Sequence, residues 1–214
     1  MQQFELMIFD LDGTLVDSGR DLITAVNFTR QALDLTAMAY REIIRLVGDG
    51  TDKLIERVLG PELQHRRDEA LALFLAYYEE HLLDNTVLYP GVREVLEFFK
   101  HKKKMLITNK REMLARKITD HFVLTSAFDD IVGVGKNAWR KPDVRVLLPF
   151  LESFGICPEQ TVVVGDGVAD INLARNCGAK SCALLNGFTP REVLLSLNPD
   201  FACEELPELK TMFY

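Results

Sequence analysis

The 214-residue sequence predicts a three-layer α/β fold: a parallel sheet covered on both faces by helices, with a helical bundle inserted after the first strand. Three observations carry this reading. Short apolar runs recur between turn residues, stretches with helical spacing alternate with them, and one charged segment of roughly 65 residues has helical spacing but no strand signal. Residues 5–9 (ELMIF) form the first run, which stops at the glycine turn Asp10-Leu11-Asp12-Gly13-Thr14. From Gly19 to Asn85, Leu22, Ile23 and Val26, and later Leu71, Phe74, Leu75 and Tyr78, recur at three- and four-residue spacing, so this stretch is expected to form its own small bundle. The aromatic stripe Phe74, Tyr77, Tyr78 is expected to pack between helices of that bundle. Further strands are expected at residues 104–108 (KMLIT), 131–134 (IVGV), 161–165 (TVVVG) and 181–185 (SCALL). Helices are expected over 92–101, 112–121, 144–155 and 171–177, the basic run 100–104 (KHKKK) being the last turn of the first of these, where cations suit the helix dipole. The chain thus divides into a core of residues 1–18 and 86–214 and an insertion of residues 19–85.

Composition narrows the function. With 48% hydrophobic and 27% charged residues, a net charge of -7 and a pI near 5.2, the chain lacks the basic face that nucleic-acid phosphates require. No apolar run approaches the ~20 residues of a membrane helix, and the first residues lack the basic flank of a signal peptide, so a cytoplasmic protein without membrane contact is expected. Cys157, Cys177, Cys182 and Cys203 form no CxxC pair and are expected to be buried free thiols. His65, His81, His101 and His121 lie in polar, helix-like stretches and are expected at the surface.

Four polar signatures fall at strand ends, where parallel α/β sheets place their ligands. Asp10 and Asp12 stand at i and i+2, expected to leave the strand on the same side, and two carboxylates that close repel unless a cation or a shared proton intervenes. An ordinary Asp-Gly turn with Thr14 as a helix cap is the alternative. Thr108-Asn109 offers a hydroxyl and backbone N–H groups suited to an oxyanion, or else a helix N-cap. Lys141 precedes Pro142, which can open a helix near Val144. Asp166 and Asp170, in GDGVAD, bring two more carboxylates to another strand end, although Asp170 could instead cap the following helix.

With these four motifs in this order, DxDGT at Asp10 to Thr14, Thr108, Lys141 and GDxxxD at Asp166 to Asp170, the sequence resembles the haloacid dehalogenase superfamily over essentially its whole length. Within it, LVDSGRDL, LVGDGTDKLIERVLG and YPGVREVLEFFK are similar to phosphoglycolate phosphatases. The resemblance implies a Rossmann-like core with an inserted helical cap, and a Mg²⁺-dependent phosphatase acting on a small phosphorylated metabolite, 2-phosphoglycolate, through an aspartyl-phosphate. It implies Asp10 as nucleophile and Asp12 as general acid and base. Mg²⁺ would be held by Asp10, the backbone carbonyl of Asp12, Asp166 and waters, with Asp170 in support. Thr108 and Asn109 would hold phosphate oxygens beside Gly13 and Thr14, and Lys141 would offset the negative charge. Gly48, Gly50 and Thr51 form the expected specificity loop, aiming N–H groups at the substrate carboxylate, with Asp49 pointing to solvent or capping the helix near Thr51. A monomer or homodimer is expected. A sugar phosphomutase and a phosphonatase are the alternatives within the superfamily, Lys53 suggesting the Schiff-base lysine of the latter; a receiver-type phospho-acceptor domain, which lacks a cap, is the non-enzyme alternative.

Overall fold

The computed structural model describes residues 3–135 and 139–214. Strand β1 (Leu6–Phe9) is followed by a two-residue strand β2 (Val16–Asp17) and the four helices of the insertion: α1 (Gly19–Ala32), α2 (Tyr40–Ile44), α3 (Thr51–Leu59) and α4 (Arg67–His81). The chain returns through β3 (Val87–Leu88) and then alternates: α5 (Val92–Phe98), β4 (Lys103–Arg111), α6 (Glu112–His121), β5 (Asp130–Val134), α7 (Leu148–Phe154), β6 (Thr161–Gly165), α8 (Val168–Cys177), β7 (Lys180–Leu184), α9 (Arg191–Ser196), β8 (Phe201–Cys203) and α10 (Leu209–Met212). Six strands form one sheet in the order β5-β4-β1-β6-β7-β8, with every neighbouring pair parallel. β1 sits at the centre, Leu6 facing Lys103 of β4 and Thr161 of β6.

The apolar runs are continuous because the sheet is covered on both faces, yet alternate residues still part company. Leu6 and Ile8 pack with Met105, Ile107 and Val163 beneath α7 and α8, where Leu151, Leu173 and Ala174 close the layer. Met7 and Phe9 pack with Leu106, Val162 and Val164 on the opposite face, against Val95 and Leu96 of α5 and Leu114 and Ile118 of α6. The insertion joins this second cluster through Leu22, Ala25 and Val26 of α1, Leu54, Ile55 and Val58 of α3, and Phe74 of α4.

Several elements differ from the sequence expectation for local reasons. The basic run does not close a helix: α5 stops at Phe98 and the run crosses into β4, with the buried Lys104 ammonium donating to the carbonyl oxygens of Phe99 (2.8 Å) and Lys102 (3.2 Å). The segment 144–155 breaks into a 3-10 turn (Val144–Val146), capped by Asp143 accepting the Arg145 N–H, and then α7. α8 begins at Val168 rather than Ile171, because the Asp170 carboxylate reaches back to accept the Gly167 N–H at 2.9 Å. β2, β3, β8 and α9 are too short for periodicity to reveal. Cys177, Cys182 and Cys203 are buried, but Cys157 is exposed, since it precedes a surface turn rather than lying in a strand. His65, His101 and His121 are exposed; His81 is half-buried and stacks on Tyr77.

The two connections of the insertion run side by side. β2 pairs antiparallel with β3, Asp17 facing Val87. One turn into α1, the buried Asp21 carboxylate accepts the Asn85 N–H and side-chain amide and the Thr86 N–H and hydroxyl, all at 2.8–3.0 Å.

Candidate active site

The carboxyl edge of the sheet, under the insertion, brings the polar signatures together. Asp10, Asp12, Thr108, Asn109 and Asp166 line a cavity of about 50 Å³, and Gly48, Gly50 and Thr51 close it from the insertion side. Leu22, Val47, Leu54, Tyr78 and Phe188 supply its apolar wall.

Asp10 and Asp12 both line the cavity but take different partners. Past Phe9 the chain leaves the strand, the Leu11 carbonyl accepting the N–H groups of Thr14, Leu15 and Val16, so two-residue alternation no longer governs where side chains go. Asp10 joins Asp166 and Asp170, their carboxylates offering oxygens within 4.8 Å of one another. The Asp12 carboxylate stands apart from that cluster. It accepts the Ser18 hydroxyl at 2.5 Å and pairs with the Lys110 ammonium at 3.0 and 3.1 Å.

Lys141 lies beneath the acidic cluster, its ammonium 2.8 Å from Asp10 and 2.6 Å from Asp170. Burial works against its charge, but Asp10 and Asp170 outweigh burial and hold it above the usual lysine range. Asp166 is pushed up to about 7 by burial first, then by the charges of Asp10 and Asp170, against the Thr14 and Phe188 hydrogen bonds. Burial raises Asp170 as well. One lysine facing three carboxylates leaves negative charge unbalanced, and a set of carboxylate oxygens that close together suits a hard divalent cation such as Mg²⁺.

Gly13 and Thr14 serve this cluster rather than lining the cavity. The buried Thr14 hydroxyl donates to Asp166 at 2.7 Å and accepts the Asp166 N–H at 3.1 Å, which leaves it engaged away from the cavity. Gly13 sits at φ +83°, and a Cβ there would stand 2.2 Å from the Asp166 carboxylate. Both residues therefore set the position of Asp166. The Phe188 N–H completes its support at 2.7 Å.

On β4, Thr108 accepts the Lys110 N–H at 3.2 Å. The Asn109 side-chain amide donates to the Gly48 carbonyl (2.9 Å) and the Lys141 carbonyl (3.1 Å), fastening the insertion loop to the core. Its Oδ1 is the one buried side-chain polar atom without a hydrogen-bond partner among the described residues. Gly50, at φ +90°, lets that loop approach: a Cβ would lie 2.9 Å from the Asn109 carbonyl oxygen. Asp49 is half exposed, its carboxylate taken by the Arg57 guanidinium, and both residues line a neighbouring cavity that Asp10 and Gly48 share. Asp49 does not cap α3, whose N-cap is Gly50. Lys53 is partly exposed and pairs with Glu56 at 2.7 Å, away from the cavity.

Sequence reasoning missed Lys110, Ser18 and the reach of Tyr78. Lys110 is nearly fully buried, and Asp12 and Tyr78 raise its pKa against the opposing effect of burial. Its ammonium donates to the Tyr78 hydroxyl at 2.7 Å and lies 4.7 Å from the centre of the Tyr78 ring. Tyr78 stacks on Phe74, as packing between helices requires, but its hydroxyl also reaches the cavity, and burial pushes it up to about 12. The available signal was the closeness of Lys110 to Thr108, two residues earlier, with which it lines the cavity.

The family model described as haloacid dehalogenase-like hydrolase matches residues 7–184. A phosphoglycolate phosphatase of Chromobacterium violaceum is 33% identical over 216 residues, covering 98% of this chain and 96% of that protein. Another from Aquifex aeolicus is 34% identical over 206 residues, covering 95% of this chain and 94% of that protein. A crystal structure of a predicted phosphoglycolate phosphatase from Haemophilus somnus 129pt superposes with a TM-score of 0.92 at 26% identity, covering 99% of each chain. A matching model that takes in strands β1 to β7, together with relatives that align nearly end to end, makes this chain a member of the haloacid dehalogenase-like hydrolase family.

Proposed function

We propose that this protein is a Mg²⁺-dependent phosphatase of a small phosphomonoester, with 2-phosphoglycolate as its substrate, and that residues 19–85 act as the cap over its site. The observation that carries the reading is the meeting of Asp10, Asp12, Thr108 and Asp166 around one cavity at the carboxyl edge of the sheet. The names of the full-length relatives supply the substrate.

In this reading Asp10 attacks phosphorus and carries the phosphoryl group as an aspartyl-phosphate, which water then cleaves. Asp12 gives a proton to the leaving alkoxide and then takes one from that water. Thr108 and the backbone N–H of Asn109 hold phosphoryl oxygens, and Gly48, Gly50 and Thr51 present the start of α3 to the far end of the substrate. Lys141 holds Asp10 and Asp170 in place and offsets their charge. Mg²⁺, held by Asp10, the Asp12 carbonyl and Asp166 with Asp170 in support, would neutralise charge on the phosphoryl group. No helix among the described residues is long and apolar enough to cross a membrane, in keeping with a dissolved metabolite as substrate.

A panel of small phosphoesters assayed with and without Mg²⁺ tests this. The expected result is metal-dependent phosphate release with 2-phosphoglycolate giving the highest kcat/KM; a hexose phosphate converted to its isomer, or no turnover of any phosphoester, would overturn it.

A further inference from the structure

We propose that Lys110 recognises a second anionic group on the substrate, and that its ion pair with Asp12 is a placeholder which that group displaces. The inference rests on the phosphatase reading above and names a residue that selects among phosphoesters.

Charge leads to it first. Three carboxylates, Asp10, Asp12 and Asp166, line the cavity, and among its described lining residues Lys110 is the single cation. Lys141 lies below, held by Asp10 and Asp170. A substrate carrying only a phosphoryl group can be served by the metal site, Thr108 and backbone N–H groups. A substrate with a carboxylate as well brings another anion into a cavity rich in carboxylates, where an unpaired buried charge is strongly disfavoured. Lys110 is the charged side chain in the lining that can meet it, together with the N–H groups at the start of α3.

Position leads to the same residue. Thr108 and Lys110 stand at i and i+2 on β4, and the Lys110 N–H already bonds the Thr108 hydroxyl at 3.2 Å. Both residues line the one cavity, so the ammonium is within it alongside the expected phosphoryl contact. In 2-phosphoglycolate a single methylene separates the ester oxygen from the carboxylate carbon, so both anionic ends must be met within that cavity. Tyr78, from the insertion, holds the ammonium from the other side at 2.7 Å and keeps it in place while its carboxylate partner changes.

The exchange also explains where Asp12 points. Its carboxylate faces Lys110 and Ser18. A substrate carboxylate on Lys110 removes that partner and frees Asp12 to turn toward the leaving-group oxygen. Recognition of the second anion is thereby linked to placement of the general acid, so part of the selectivity appears in kcat and not only in KM.

The test compares 2-phosphoglycolate with ethyl phosphate, which has an alkyl leaving group but no carboxylate, in the wild-type protein and in Lys110→Met and Lys110→Arg. In Lys110→Met, kcat/KM for 2-phosphoglycolate should fall roughly 100-fold or more, as for loss of one partner of a buried charge pair, and that for ethyl phosphate less than about tenfold. Lys110→Arg should recover part of the preference. Binding to an Asp10→Asn background, read by calorimetry, should show the same split without turnover. If Lys110→Met does not fold, Lys110→Gln is read in the same way. Equal losses on both substrates would overturn the proposal and reduce Lys110 to a positioning residue for Asp12; so would an unchanged preference. A wild-type protein that ignores 2-phosphoglycolate but favours another phosphoester with a second anionic group, and loses that preference in Lys110→Met, would overturn the substrate assignment and support this one.

Discussion

Without a divalent cation the protein should lose stability as pH rises, and Asp166 sets the size of the effect. Its carboxyl is displaced from an ordinary value of 3.8 to about 7 in the fold, so the protonated form is favoured in the native state relative to the unfolded chain. A carboxyl raised in this way supports the fold fully below the unfolded value, and that support is lost as pH climbs through the native value. The displacement corresponds to roughly 4 kcal/mol in all, more than half of it falling between pH 5 and pH 8. For a chain of this length that corresponds to a drop in Tm of roughly 5–10 °C. Asp170, raised by burial too, acts in the same direction. A divalent cation binds only the deprotonated carboxylates, so Mg²⁺ should raise Tm more at pH 8 than at pH 5. Thermal unfolding in EDTA and in Mg²⁺ across this range measures both effects, and Asp166→Asn should flatten the EDTA profile. A metal-free Tm that stays level or rises from pH 5 to pH 8, or an equal Mg²⁺ shift at both ends, would refute the reasoning.

Asp10→Asn should lower turnover by about 10⁴ or more with the far-UV spectrum unchanged, because an amide keeps the shape but cannot attack; steady-state phosphate release checks this. Asp12→Asn should hurt alkyl phosphates more than aryl phosphates, whose leaving groups need less protonation, a difference read from the ratio of kcat values. Gly50→Ala places a Cβ 2.9 Å from the Asn109 carbonyl at φ +90°, and strain of about 1–3 kcal/mol should raise KM for every phosphoester by displacing the loop from Asn109. Asp21→Ala strands the buried donors of Thr86 and releases those of the exposed Asn85, and should cost about 1–3 kcal/mol, seen as a lower urea midpoint.

The core strands were legible because a fully buried parallel strand must be apolar on both faces, and residues 161–165 show this without interruption. α6 was legible to the residue, its ends marked by Glu112 and His121. The short pieces were not: two or three residues hold no period, so β2, β3 and β8 exist through their pairing partners alone. In the site, the acidic residues announced themselves by their spacing. The direction of Asp12 did not, because it depends on a turn rather than a strand. Lys110 stayed hidden within a run of ordinary strand residues, since its importance comes from Asp12 and Tyr78, 98 and 32 residues away in sequence. Thr14 read as a ligand contact or a cap, whereas its partner is Asp166, 152 residues on.

The paired exit and return of the insertion also bears on how the chain folds and on how it can be altered. β1 finds its neighbour β4 only after residues 10–102 have been looped out. Closing that loop instead of one lacking residues 19–85 costs only about 1 kcal/mol, because closure entropy grows with the logarithm of length. Once β2 meets β3 and Asp21 seizes Asn85 and Thr86, even that small penalty vanishes: the ends of the insertion are already together, and to the core it is a short hairpin. The insertion thus adds little to the closure cost of the sheet, although its inner face packs into the same cluster as Met7, Phe9 and Leu106, so a replacement must supply that apolar face again. A different bundle grafted between Ser18 and Thr86, with the Asp21 clasp retained, should leave the six strands folding as before while presenting new walls to the same carboxylates.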